Sequence, residues 1–165
     1  MKRSFFFTAF IFLLLPFYAC EEEQLANSLE HTDYLIFGNF AGECSDDCIQ
    51  NYLLDMKERA LYRISNKKYP YGSQLNLLQS DRYKLADEDF QLAKHLFEKL
   101  PEEIMEQANP TIGCPDCRDQ GGLYLSFSSA GEVYEFYIDT DKDAIPDFLH
   151  DYTDELKAVL WKIRA

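Results

Sequence analysis

The sequence predicts an α+β domain, an antiparallel sheet with two helices packed on one face, in the order strands, helix, hairpin, helix. Three observations predict it. Residues 123–128 and 133–138 alternate apolar and polar side chains on either side of Ser129-Ala130-Gly131-Glu132, which is the two-residue period of paired strands. Two stretches, 87–104 and 144–164, repeat apolar residues at helical spacing. Residues 33–40 form a nearly unbroken apolar and aromatic run, as expected of a central strand covered on both faces. Placing both helices on one face of an antiparallel sheet is the simplest way to bury both apolar stripes.

The elements follow in order. After the strand at 33–40 and a loop at 42–48, residues 49–55 and 60–65 are strand-like and are joined by the charged turn Met56-Lys57-Glu58-Arg59, so a meander is predicted. Residues 66–80, with Pro70 and Gly72, read as loop with a short strand at 75–78, and residues 82–85 add an edge strand. Asp87 is expected to cap a helix whose stripe is Phe90, Ala93, Phe97, Leu100 and Ile104, with Glu88 and Asp89 where the helix dipole favours acids. Pro101 falls inside that pattern and predicts a kink or restart. The last helix, 144–164, is expected to bury Leu149, Tyr152, Leu156, Val159, Leu160 and Ile163. Its acids come early and its bases late, which suits the dipole.

Ahead of this domain, Lys2 and Arg3 precede an apolar run at 5–15, and Pro16-Phe17-Tyr18-Ala19 leads into Cys20. The run is too short to span a bilayer and has the charged and apolar regions of an export signal. Phe17 is too large for ordinary cleavage after Ala19, whereas a cysteine directly after a small residue resembles a bacterial lipoprotein signal. That resemblance implies lipidation of Cys20, with residues 1–19 removed, residues 20–32 a flexible tether and residues 33–165 one domain. The acidic run Glu21-Glu22-Glu23 after the cysteine resembles the export signal of Bacteroidota outer-membrane lipoproteins, which implies an outer-membrane, surface-exposed address. Acyl chains hold a protein at a membrane with about 0.8 kcal/mol per buried methylene.

Removal of Lys2 and Arg3, the only charges in residues 1–19, takes the net charge from −13 to −15. Such a field disfavours nucleic acid and favours a cationic partner. Apart from Cys20, the cysteines are Cys44 and Cys48 in a C-x3-C and Cys114 and Cys117 in a C-x2-C. In an oxidising compartment they read first as two disulfides, paired locally or crossed. Zinc and a redox-active C-x2-C are the alternatives. The acids Glu43, Asp46, Asp47, Asp116 and Asp119 around them disfavour thiolate, which argues for inert bridges.

Asp139, Asp141 and Asp143 resemble the first ligands of the calcium loops of thrombospondin type 3 and EF-hand proteins, which implies Ca2+ as a cofactor. The loop departs from that pattern at Ala144, where the turn needs glycine, and at His150, where a carboxylate closes the shell. The competing reading is a strand-to-helix turn in which Asp143 caps the last helix and Pro146 sits in its first turn. None of His31, His95 and His150 stands in a catalytic signature, and no phosphate loop, dinucleotide fingerprint or H-E-x-x-H helix occurs.

The segments Tyr34-Leu35-Ile36-Phe37-Gly38-Asn39-Phe40-Ala41-Gly42-Glu43-Cys44 and Asn109-Pro110-Thr111-Ile112-Gly113-Cys114-Pro115-Asp116-Cys117-Arg118-Asp119-Gln120-Gly121-Gly122 resemble small uncharacterised Bacteroidota lipoproteins. The resemblance covers most of residues 33–160 and is firmest in the second segment. It implies an exported, compact domain and no particular activity. Three functions follow as expectations, in this order: a non-enzymatic module that binds protein or glycan through the loops around the two cysteine pairs, an inhibitor of a cationic enzyme such as lysozyme, and a thiol-disulfide oxidoreductase using Cys114 and Cys117.

Intact mass of the protein taken from membranes tests the anchor and the bridges together. The expected species lacks residues 1–19, carries a diacylglycerol on Cys20 and gains two hydrogens per bridge on reduction. A water-soluble, unacylated chain that still begins at Met1 contradicts the anchor.

Overall fold

The apolar run at the start of the domain becomes β1 (Tyr34–Phe40), the middle strand of a seven-stranded sheet in the computed structural model. The structure describes residues 34–41, 49–65, 77, 80–129 and 132–164. The other strands are β2 (Gln50–Asp55), β3 (Ala60–Ile64), β4 (Arg82–Lys84), β5 (Thr111–Ile112), β6 (Gly122–Ser129) and β7 (Glu132–Asp139), and the sheet order is β4-β3-β2-β1-β6-β7-β5. Every pairing is antiparallel except β5 with β7. Two α-helices, α1 (Asp87–Glu98) and α2 (His150–Arg164), complete the α+β fold.

The strand period sorts the side chains onto two faces. Leu35 and Phe37 of β1, Tyr52 and Leu54 of β2, and Leu123, Leu125 and Phe127 of β6 join Phe90, Ala93 and Leu96 of α1 and Tyr152, Leu156, Val159 and Leu160 of α2 in one core. Both helices therefore lie on one face. On the other face Ile36, Phe40, Leu53, Ile64, Tyr124 and Tyr137 form a second core with Leu77. Each large apolar side chain buried this way stabilises the fold by about 1.5–3 kcal/mol relative to exposure.

Several boundaries differ from the sequence expectations for local reasons. Asp87 is the first residue of α1 and not its cap. Ala86 holds the cap position with no side-chain bond, while Asp87, Glu88 and Asp89 crowd the first turn. The restart expected at Pro101 is a 3-10 turn, Glu102–Glu106, after α1 has closed at Lys99. The last helix begins at His150 and not at 144. Pro146 pushes its predecessor out of the helical region, Ile145 is extended at φ −121° and ψ 155°, and short 3-10 turns at Lys142–Ala144 and Asp147–Leu149 fill the gap. Asp141, rather than Asp143, caps the first of these turns by accepting the Asp143 N–H. Leu77, the only described residue of the strand expected at 75–78, is helical. β5 was not anticipated, because two residues carry no readable period.

On the second face β1 and β2 cross at a crowded point. Gly38 pairs with Asn51, and a Cβ at 38 would collide with the Gln50 carbonyl oxygen and the Asn51 side chain. Asn51 is wholly buried, and its amide nitrogen and oxygen find no hydrogen-bond partner among the described residues. Desolvating such groups costs about 1–3 kcal/mol. Glycine at 38 is required by space. Urea unfolding of Gly38→Ala is expected to show a loss of about 3 kcal/mol, the upper range for overpacking a core. A midpoint within error of the parent would mean that β1 and β2 separate there at little cost.

Candidate functional site

The register places a second row of residues, beyond the helix-covered core, at the end of the sheet where β1 runs out. Gln50 of β2, Asn39 of β1 and Leu123 of β6 stand side by side, and Tyr52 pairs across to Arg63 of β3. Side chains opposite one another in an antiparallel pair share a face. Above this floor the last turns of α2 carry Lys157, Leu160 and Trp161, spaced three and four apart and hence adjacent on the helix. Between floor and helix lies a cleft of about 690 Å³, lined also by Ala41, Gln120, Gly122 and Thr140, a volume usual for small-molecule sites, which run about 300–1,000 Å³.

Trp161, the only tryptophan in the chain, is 76% exposed and lines the cleft. Beneath it Tyr52 is 2% exposed, stacks on Phe37 with ring centroids 5.6 Å apart and donates to Gln50 Oε1 at 3.2 Å. Lys157 donates to the Thr140 carbonyl at 3.3 Å and lies 3.7 Å from Asp154. Arg63 is exposed and forms no ion pair with the described residues. The described lining contains no aspartate, glutamate, histidine or cysteine.

Gln120 ties the cleft lining to a knot around Asp139. Cys114 and Cys117 are disulfide-bonded, which settles the local pairing for this pair. Cys44 and Cys48 lie outside the described residues, as does Cys20. The Cys114 N–H donates to Asp139 Oδ2 at 2.9 Å and the Asp141 N–H to Oδ1 at 2.9 Å. The Gln120 amide donates to the Cys114 carbonyl at 3.1 Å and to Asp139 Oδ1 at 3.5 Å, and its own oxygen accepts the Arg118 N–H at 2.7 Å. Asp116 and Asp119 adopt φ of 62° and 59° in this loop, a left-handed conformation that aspartate tolerates better than most residues. No helix follows the C-x2-C, so no helix N-terminus is on hand to favour a thiolate there.

The candidate calcium ligands also bond within the turn. Both Asp139 oxygens accept N–H groups, and Asp141 Oδ1 accepts the Asp143 N–H at 3.1 Å. His150 turns its Nε2 to the Ile145 carbonyl at 3.2 Å. Among the described residues no three or more Asp, Glu, His or Cys side chains gather as a metal-holding group. His95 pairs with Glu98 at 3.0 Å on the exposed face of α1. On the second face Glu135 accepts the hydroxyls of Tyr124 at 2.8 Å and Tyr137 at 3.1 Å. Burial first, and the bond to Glu135 next, push the Tyr124 phenol up, so it remains a donor.

Sequence reasoning pointed to the two cysteine loops and missed the cleft. Gln120 and Gly122, which follow the Cys114–Cys117 bridge in sequence, line it, as does Ala41 after β1. One signal was readable. Trp161 falls off the apolar stripe Leu149, Tyr152, Leu156, Val159, Leu160 and Ile163, so a large aromatic side chain had to face outward. In comparisons with known proteins, no protein-family model, curated protein or solved structure matches this chain. Among the described residues no helix is long and apolar enough to cross a membrane.

Burial pushes the Asp139 carboxyl up, but the N–H groups of Asp141 and Cys114, the Gln120 amide and the Thr140 N–H outweigh it, and its pKa lies below the ordinary 3.8. A group depressed in this way contributes stability that is present above its unfolded pKa and lost as pH falls through the lower folded value. In Asp139→Asn the amide NH2 would face an N–H donor, so a loss of about 1–3 kcal/mol at pH 7 is expected. The gap should close as the pH drops below about 4. Urea unfolding of both proteins across that range checks it, and a gap that stays constant with pH would remove the carboxylate from the account.

Proposed function

We propose that this protein is a non-enzymatic binding module held at the bacterial cell envelope by acylated Cys20, and that its ligand enters the cleft beneath Trp161. The observation that carries this reading is the exposure of the only tryptophan on the wall of a cleft whose floor is fixed by the sheet. Leaving an indole in water forfeits about 1.5–3 kcal/mol of burial, whereas a ligand can recover it. The described lining supplies ring faces, carboxamides, a hydroxyl and two cations. These are groups that can hold and orient a ligand. The rim is stapled by the Cys114–Cys117 bridge and the Asp139 knot, which reduces the ordering cost of binding.

A second reading uses the opposite charge. Asp87, Glu88 and Glu98 of α1 and Glu102, Glu103 and Glu106 of the following turn are exposed, and such an acidic face suits capture of a cationic enzyme.

Glycan and peptide arrays probed with the protein and with Trp161→Ala separate the two. The expected result is a ligand whose binding falls about thirtyfold in the variant, as for a central aromatic anchor of about 2 kcal/mol. Stability should stay within about 0.5 kcal/mol, since the side chain is mostly exposed. A partner bound equally by both proteins and released by salt would favour the acidic face instead.

A further inference from the structure

The two cations in the cleft define the ligand more closely. Resting on the binding-module reading, we infer that the cleft takes an anionic saccharide, with Trp161 stacking on the sugar ring and Arg63 and Lys157 receiving its negative group. The chain has 29 acidic side chains against 16 basic ones. The described cleft lining reverses that balance, with Arg63 and Lys157 and no carboxylate. Arg63 has no ion pair among the described residues, and its guanidinium offers a planar fork of donors suited to a carboxylate or sulfate. Lys157, a point charge in the same lining, donates to the Thr140 carbonyl and lies 3.7 Å from Asp154, a loose pair that leaves it donors for a ligand.

The remaining lining selects a polyhydroxylated ligand over the other classes. Asn39, Gln50, Gln120, Thr140 and Tyr52 bring polar groups to the same cleft. A lipid chain or an apolar metabolite would dehydrate them without replacing their bonds, and each loss disfavours binding by about tenfold or more. Sugar hydroxyls donate and accept, so they fit a mixed set of carboxamides and hydroxyls. A peptide that adds a strand needs a free strand edge, whereas this floor is built from side chains of β1, β2, β3 and β6 in the interior of the sheet. The C–H face of a pyranose ring is apolar and flat enough for an exposed indole, and Trp161 presents one.

Because Trp161 is the only tryptophan, its emission reports on the cleft directly. The full chain in detergent is titrated with four probes: a uronate oligosaccharide, a sulfated oligosaccharide, a neutral oligosaccharide of equal length and an acidic peptide. A saturable change with one or both anionic saccharides is expected, at least about tenfold tighter than with the neutral one and weakened by salt. The uronate and sulfate arms tell which negative group the cleft prefers. Arg63→Gln should remove about tenfold of that affinity and leave the neutral probe unchanged. Equal affinity for charged and neutral saccharides overturns the charge assignment and leaves the binding module standing. Response to the acidic peptide alone overturns the saccharide and also leaves the module standing. No response to any probe overturns the inference, and the module reading then rests on the array result.

Discussion

The structure depends on one strand being dry on both sides. β1 buries Leu35 and Phe37 under the helices and Ile36 and Phe40 on the opposite face, so it separates two cores and belongs to both. A strand in that position cannot slip by one residue without exchanging its two sets of side chains. Its neighbours inherit that register. β2 matches it from Tyr34–Asp55 to Asn39–Gln50, and β6 from Leu35–Phe127 to Phe40–Gly122. The tight spot at Gly38 and Asn51 is what this double packing demands, since two strands and a buried amide meet where no Cβ fits.

The cleft is a consequence of the same register. Near its C-terminal end β1 changes from Leu and Phe to Asn39 on the helix-covered face, and Gln50 stands directly opposite. The polar row marks where the apolar core under the helices gives out. α2 continues past it, which leaves Trp161 on the wall and not in the core. At the edge of the sheet parallel β5 lies along β7 and brings the Cys114–Cys117 turn within hydrogen-bond reach of Asp139. Gln120 then joins that knot to the cleft, bonding to Cys114 and Asp139 while lining the opening.

What could be read in the sequence was whatever carries a period. The run at 34–40, the hairpin of Leu123, Leu125 and Phe127 against Phe136 and Ile138, and the stripe Leu149-Tyr152-Leu156-Val159-Leu160 announced their burial, and with them the α+β architecture. Boundaries were read poorly where one residue's chemistry outweighed the pattern. Pro146 delayed α2 to His150 although the apolar spacing began earlier. Acids that alternate at 139, 141 and 143 resemble the ligands of a cation loop. The same alternation serves turns in which each carboxylate accepts the N–H two residues on, and the two uses differ only in three dimensions. The cleft was the least legible part. Its floor comes from β1, β2, β3 and β6 and its wall from α2, and no local window contains residues 39, 50, 63, 120, 157 and 161 together.

Net charge and site charge have opposite signs here, and distance decides which a ligand feels. The field of a chain at −13 is diffuse and is screened over about 8 Å at physiological salt. It slows the approach of an anion but contributes little once the anion is in contact. Among the described residues that line the cleft the charged ones are Arg63 and Lys157, the latter 3.7 Å from Asp154, against a floor of side chains that water reaches poorly, since Gln50 is 9% and Tyr52 2% exposed. Charge interactions weaken with both distance and dielectric, so two cations at contact outweigh a larger but screened negative surface. The acidic exterior then acts as a filter. It keeps anionic macromolecules from adhering nonspecifically, while a ligand able to place one negative group between Arg63 and Lys157 and one ring face against Trp161 is retained by contacts that the rest of the surface does not provide.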